Sequence, residues 1–302
     1  MPNPWSGVFP AVTTQFREDQ SLDLPGTARH IEKLLESGVH GLIMCGSLGE
    51  NQSLDPDEKR QVVELAVKTA GGRVPVLSGV AETSTIAAKR YVRDCARLGA
   101  SGFMIMPAMV YKSDPAEAAA YFRAVGSTTD LPWMLYNNPI GYPVDVTPTL
   151  LAEYADIRNL VAVKESSGDP RRMTEIRLIV GDRFALFAGV DDLILESSIL
   201  GIDGWVAGSG IAFPKENQHL WNLMQAGKWD EARKLYRWFS PLLKLDVHVK
   251  FVQYIKLMVQ EAGLGKEYVR EPRLPLSGAE RERVLAIIRK GIENRPTLSL
   301  PL

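Results

Sequence analysis

Cysteine is scarce in this chain. Two residues, Cys45 and Cys95, among 302 cannot make a disulfide framework, and Cys45 reads as a small core residue on a strand. Long apolar runs are missing too. Nothing approaches the roughly 20 residues that span a bilayer, and Met1-Pro2-Asn3-Pro4-Trp5 lacks the basic region and apolar stretch of a secretory signal. The cytoplasm is therefore the default compartment. Neither charge sign is in excess. A net charge of -1 gives no basic field for nucleic acid or an anionic membrane. Histidine is sparse as well. His30, His40, His219 and His248 have no metal-ligand spacing with one another or with a cysteine, so no metal site is expected.

What is present is a repeating alternation. Strand-like runs lie at Gly7–Val12, Gly41–Cys45, Pro75–Gly79, Gly102–Met106, Pro132–Tyr136, Leu160–Lys164, Phe184–Ala188 and Gly204–Ala207. Helical segments follow them, at about 24–37, 56–71, 83–98, 115–128, 147–155, 170–180, 191–200 and 215–226. Asp55-Pro56-Asp57-Glu58 supplies an N-cap, a proline for the first turn and an acid three residues on. Asp114-Pro115 and Thr147-Pro148 act in the same way. Eight βα units predict a TIM (β/α)8 barrel over 1–227 rather than an open sheet. From 228 to 302 the pattern becomes helical, with segments at about 228–240, 243–263 and 277–292. This C-terminal helical extension is expected to cover the barrel or to meet a neighbouring subunit.

A barrel's chemistry sits at the C-terminal ends of its strands. Lys164 ends the apolar run Leu160–Val163, where a lysine is costly unless paired or neutral. Burial disfavours the ammonium and leaves more free amine, which makes Lys164 a candidate nucleophile. The competing role is an ion pair with an acid such as Glu165, although successive strand residues face opposite ways. Tyr136 ends the fifth run. It is a candidate proton shuttle or, equally, a packed ring with its hydroxyl on the rim. The turn Gly46-Ser47-Leu48-Gly49 can present amides to a carboxylate, or can simply be a tight connection. Asp191 and Asp192 follow Gly189 after the seventh run. They are candidates for binding substrate hydroxyls or for starting a helix. Ser209, within Gly208–Gly210, lies at the end of the eighth.

Together, Gly46-Ser47-Leu48-Gly49-Glu50, Tyr136-Asn137-Asn138-Pro139, Lys164-Glu165-Ser166-Ser167-Gly168 and Gly189-Val190-Asp191-Asp192 resemble the markers of the dihydrodipicolinate synthase / N-acetylneuraminate lyase family. The resemblance covers the whole chain, tail included. It implies an imine on Lys164, proton relay by Tyr136, and a substrate carboxylate held by Ser47 and the turn amides of Gly46 and Leu48. Gly189, Asp191 and Ser209 complete the expected binding set. No cofactor is implied beyond the covalent imine, and the implied assembly is a homotetramer or dimer.

Three positions depart from the family's synthases. Gly141 stands where they carry an arginine for the incoming aldehyde's carboxylate. The run Met106-Pro107-Ala108-Met109-Val110-Tyr111 lacks their Pro-Tyr-Tyr, and Leu48 replaces a second hydroxyl. The serine loop, the methionine-rich turn, and Leu245-Asp246 with Val252-Gln253-Tyr254-Ile255-Lys256-Leu257 look instead like 1-pyrroline-4-hydroxy-2-carboxylate deaminases. These yield 2,5-dioxopentanoate and ammonia in hydroxyproline degradation. Dihydrodipicolinate synthase, a sugar-acid aldolase or dehydratase, and a noncatalytic metabolite-binding barrel remain the alternatives.

Overall fold

A computed structural model describes residues 4–298; of the N-terminal segment discussed above, Met1–Asn3 lie outside the described residues. Eight strands alternate with eight helices. In chain order they are β1 (Gly7–Val8), α1 (Leu24–Glu36), β2 (Leu42–Met44), α2 (Pro56–Ala70), β3 (Val76–Val80), α3 (Thr85–Arg97), β4 (Gly102–Ile105) and α4 (Pro115–Gly126). Then come β5 (Trp133–Asn137), α5 (Pro148–Ala152), β6 (Leu160–Glu165), α6 (Arg171–Val180), β7 (Ala185–Ala188), α7 (Ile194–Ile199), β8 (Gly204–Trp205) and α8 (Pro214–Gln225).

Every strand pair is parallel, in the order β1-β8-β7-β6-β5-β4-β3-β2. The ring closes between the β1 segment and β2. Val12 N donates to Ile43 O, and Ile43 N to Pro10 O, each at 2.9 Å. This is the TIM barrel the alternation predicts. The strands are buried almost throughout, as a parallel sheet covered by helices requires. β1 is shorter than its apolar run because Pro10 has no N–H to donate. The chain stays extended past it, and Ala11 N reaches Ala207 O at 2.8 Å.

The helix starts follow their side chains. Asp114 Oδ1 accepts from Glu117 N at 2.8 Å while Glu117 Oε2 accepts from Asp114 N at 3.0 Å, a reciprocal capping box. Thr147 Oγ1 accepts from Leu150 N at 3.3 Å. On α1, His30, Ile31 and Leu34 face the barrel while Lys33 and Glu36 pair in solvent.

The tail forms α9 (Trp229–Leu243), α10 (Phe251–Glu261) and α11 (Gly278–Glu293). Two boundaries differ from expectation. α9 runs through Pro241 instead of ending before it. A proline inside a helix costs about 3 kcal/mol. Burying Leu242 and Leu243 returns roughly 1.5–3 kcal/mol each, so burial wins. The second helix starts at Phe251, not 243. Residues Lys244–Asp246 form a single 3-10 turn, and the weak helix formers Val247, His248 and Val249 follow as a loop. Val247 and Val249 are exposed, so this stretch buries no apolar face.

The extension does cover the barrel. Lys256 of α10 donates to Glu50 Oε1, beside the β2 loop, at 2.6 Å, with both side chains fully buried. Arg270 N adds a bond of 3.1 Å to the same carboxylate. Among the described residues, no helix is long and apolar enough to cross a membrane.

Candidate active site

Parallel register sets Tyr136 of β5 directly beside Lys164 of β6. The Lys164 Nζ lies 3.9 Å from the centre of the Tyr136 ring, against its π face. Among the described residues no carboxylate oxygen lies within ion-pair distance of it. Glu165 turns the other way, as strand alternation requires. Its carboxylate accepts from Asn137 Nδ2 at 2.9 Å and from Ser167 N at 2.6 Å. Asn137 also accepts from Val146 N at 2.8 Å. These bonds lock the ends of β5 and β6 together on the side away from the lysine.

Burial holds the Lys164 amine below its usual range, and the nearby Asp246, Tyr142 and Asp191 partly oppose it. The Tyr136 hydroxyl is pushed up to about 12, again mainly by burial. It accepts from Asn138 Nδ2 at 3.0 Å.

The β2 loop closes the near side. Ser47 Oγ is in close hydrogen-bond contact with Tyr142 Oη. The Tyr142 ring meets Tyr136 edge-on at 5.8 Å. Within the turn, Glu50 N uses Ser47 O and Asn51 N uses Gly46 O. Among the described residues the amides of Ser47, Leu48 and Gly49 have no internal acceptor, which is what a carboxylate-binding turn needs. The Leu48 side chain is buried. Ser47, Tyr136 and Lys164 thus converge through Tyr142, a residue that spacing alone does not single out.

The far side is built by β7 and β8. A Cβ on Gly189 would lie 2.5 Å from Lys164 Cε and 2.0 Å from Ser166 Oγ, so any side chain there would displace the lysine. Asp191 is fully buried. Its oxygens accept from Trp205 Nε1 at 2.9 Å, from Gly208 N at 3.1 Å and from Ser209 N at 2.5 Å. Burial raises this carboxyl to about 6. Asp191 therefore anchors the β8 loop with the oxygens that were candidates for substrate hydroxyls. The backbone carbonyl of Asp192 takes the Tyr236 hydroxyl. Ser209 Oγ is buried with no hydrogen-bond partner among the described residues.

A second residue outside the expected set is Asp246, at the end of the 3-10 turn between α9 and α10. Its Oδ1 lies 2.6 Å from where a Cβ on Gly208 would stand, and burial pushes its carboxyl well up from the usual range. The Leu245-Asp246 pair is visible as a motif, but it lies in the tail, and only the third dimension brings it to the strand ends. Among the described residues no three His, Cys, Asp or Glu side chains group as metal ligands.

A model of the dihydrodipicolinate synthetase family matches residues 4–291. The chain belongs to that family. It is 31% identical over 287 residues to the 4-hydroxy-tetrahydrodipicolinate synthase of Methanospirillum hungatei, spanning 94% of this chain and 98% of that one. Among solved structures it is similar to dihydrodipicolinate synthase DapA-2 from Bacillus anthracis, at 27% identity and a TM-score of 0.89 over 94% of this chain and 97% of the other. It is equally similar to a prophage protein of the dihydrodipicolinic acid synthase family from E. coli K12, in complex with pyruvate, at 27% identity and a TM-score of 0.89 over 96% and 99%. Family membership makes the chain an enzyme. The curated relative bears the synthase name, not the deaminase name that the subgroup motifs led us to expect.

Proposed function

We propose that Lys164 forms an imine with a small 2-oxo acid or cyclic imine carboxylate, and that turnover is the deamination of 1-pyrroline-4-hydroxy-2-carboxylate. The observation that carries the imine reading is the buried, unpaired Lys164 amine against the Tyr136 ring at the strand ends. In this chemistry Lys164 adds to C2 of the cyclic imine, and the ring opens to a lysine imine bearing a free amine at C5. Loss of a C3 proton gives the enamine, which expels the C4 hydroxyl. Proton shifts carry the unsaturation to C5, and two waters then hydrolyse the imines at C2 and C5. One water leaves and two enter, so the substrate plus one water yields 2,5-dioxopentanoate and ammonia. The lysine iminium is the electron sink, so the reading calls for no metal or organic cofactor. Tyr136 relays protons, while Ser47 and the turn amides hold the one carboxylate.

Two features support this substrate over the aldehyde of the synthases. Gly141 offers no cation for a second carboxylate, and its backbone is tied to Asn138 Oδ1 at 3.0 Å. Leu48 makes the loop apolar. The second reading, 4-hydroxy-tetrahydrodipicolinate synthase, is favoured by the name of the 31% identical relative. We infer a homo-oligomer in either case, on the family resemblance.

The test has two parts. Borohydride with pyruvate or the pyrroline is expected to label Lys164, and Lys164→Ala to be inactive. A coupled assay for 2,5-dioxopentanoate should then respond, while condensation of pyruvate with aspartate semialdehyde falls about ten- to a hundredfold or more short of it. That range is the loss of one charge-assisted bond of about 1.5–3 kcal/mol. Robust condensation without deamination would establish the second reading. Label on another lysine would sink both.

A further inference from the structure

The run Asn138-Pro139-Ile140-Gly141 after β5 has the residue preferences of the commonest β-turn, with asparagine first, proline second and glycine last. Gly141 N closes the turn by donating to Asn138 O at 3.1 Å, and Tyr142 N donates to the same carbonyl at 2.9 Å. Gly141 N also donates to the side-chain Oδ1 of Asn138 at 3.0 Å. A backbone N–H can only donate, so it fixes which end of the amide is which. Oδ1 is held toward Gly141, and Nδ2 is turned toward the site. There Nδ2 donates to Tyr136 Oη at 3.0 Å. One side chain thus joins the turn to the phenol whose ring lies against the Lys164 amine. Gly141 is exposed and does not adopt a positive φ, so its backbone conformation does not call for glycine. Space does. A Cβ at 141 would stand 2.9 Å from Asn138 Nδ2, the atom that bonds the phenol. A side chain there would be accommodated by moving the amide, and the bond to Tyr136 would go with it.

We propose that Asn138 is a positioning residue for Tyr136, its amide directing the phenol proton into the site and steadying the phenolate once that proton is given up, and that residue 141 is glycine to leave the amide room. This rests on the imine and relay readings above. When Lys164 adds to a 2-oxo acid, the carbinolamine C–O bond breaks and the nitrogen lone pair forms the C=N bond. The hydroxyl leaves as water with the Tyr136 proton, and Tyr136 is left as a phenolate. A hydrogen bond to an ionised acceptor is roughly twice as strong as one to a neutral acceptor. The Asn138 bond therefore tightens as charge develops on the oxygen, and it favours the transition state over the ground state. An oxygen that accepts from Nδ2 also keeps its own proton for another partner. Burial pushes this phenol up to about 12, and the Asn138 bond pulls it the other way.

Rapid-quench borohydride labelling of Lys164 with pyruvate, read by mass in the full-length protein, tests this. N138L fills similar space, has no side-chain donor and keeps the carbonyl that closes the turn. It is expected to lower the limiting labelling rate about ten- to a hundredfold, the loss of one hydrogen bond to a charged oxygen. The half-saturating pyruvate concentration and the final labelling should stay the same, because the carboxylate is held at the Ser47 turn. In a Y136F background N138L should slow labelling no further, since its effect passes through the phenol. G141V should slow labelling as N138L does. N138L at the parent rate beside a slow Y136F overturns this proposal alone. So does an N138L that slows Y136F further, or that raises half-saturation at an unchanged limiting rate, as a general disturbance of the mouth would. If N138L folds poorly, N138D decides, because its Oδ1 can still accept from Gly141 N; N138D at the parent rate overturns the proposal. G141V at the parent rate overturns the role given to Gly141. A parent rate in Y136F, or no label on Lys164 in the unaltered protein, removes the relay or imine reading itself, and the role of Asn138 with it.

Discussion

At the scale of single residues the site works by contrast. One amine is buried beside an aromatic face, and the hydroxyls of Tyr136, Ser47 and Tyr142 near it are hydrogen-bonded. Tyr136 is tied to Asn138 and packs edge-on to Tyr142. Removing its hydroxyl leaves that packing in place, so Tyr136→Phe is expected to lose rate by about 10²–10⁴-fold with little change in melting temperature. A fully active variant, or one that no longer folds, would contradict a proton-transfer role. Residue chemistry was also the most legible level of the sequence. A lysine ending an apolar strand is conspicuous because it is costly, and Glu165 could be set aside because neighbours in a strand face opposite ways. Tyr142 and Asp246 were not legible. The first lies in an irregular loop and the second in the tail, where no periodicity reports which way a side chain turns.

At the scale of elements, the tail is joined to the barrel by a buried ion pair, Glu50 with Lys256. Burial already holds the Lys256 ammonium down to about 8. Taking away its partner leaves an uncompensated buried charge, which costs about 3–5 kcal/mol. Glu50→Gln should therefore lose stability in that range by denaturant unfolding. The double variant with Lys256→Met should be more stable than Glu50→Gln alone. A single variant within about 1 kcal/mol of the parent would show that the pair is not a structural clamp. The strands were readable as buried apolar runs, and five of the barrel helices begin at a capping residue, Asp23, Asp55, Ser84, Asp114 and Thr147. The expected helix over 243–263 begins only at Phe251, because after the 3-10 turn Lys244–Asp246 the chain runs through Val247, His248 and Val249 as a loop in which both valines are exposed. The apolar pattern says which residues are greasy, and only packing says which of them are covered.

At the scale of the whole molecule, stability should depend on His30. This side chain, on the inner face of α1, is fully buried, with Nε2 at 3.1 Å from Ile211 O and Nδ1 at 3.5 Å from Thr13 Oγ1. Burial lowers its pKa to about 4, against about 6.5 in an unfolded chain. Between those values the unfolded state holds a proton that the folded state does not. Stability should thus fall by roughly 3 kcal/mol as pH drops from about 6.5 to about 4. His30→Gln should flatten this part of the urea-unfolding profile, and an unchanged slope would refute it. The Glu50–Lys256 clamp also has a consequence in time. Its two halves are 206 positions apart, so at about 5–20 residues per second a ribosome needs roughly 10–40 s to make the second after the first. Six strands, β3 to β8, are synthesised within that interval while Glu50 waits without its partner. The loop that carries Ser47 is among the first parts of the protein to be made and among the last to be finished.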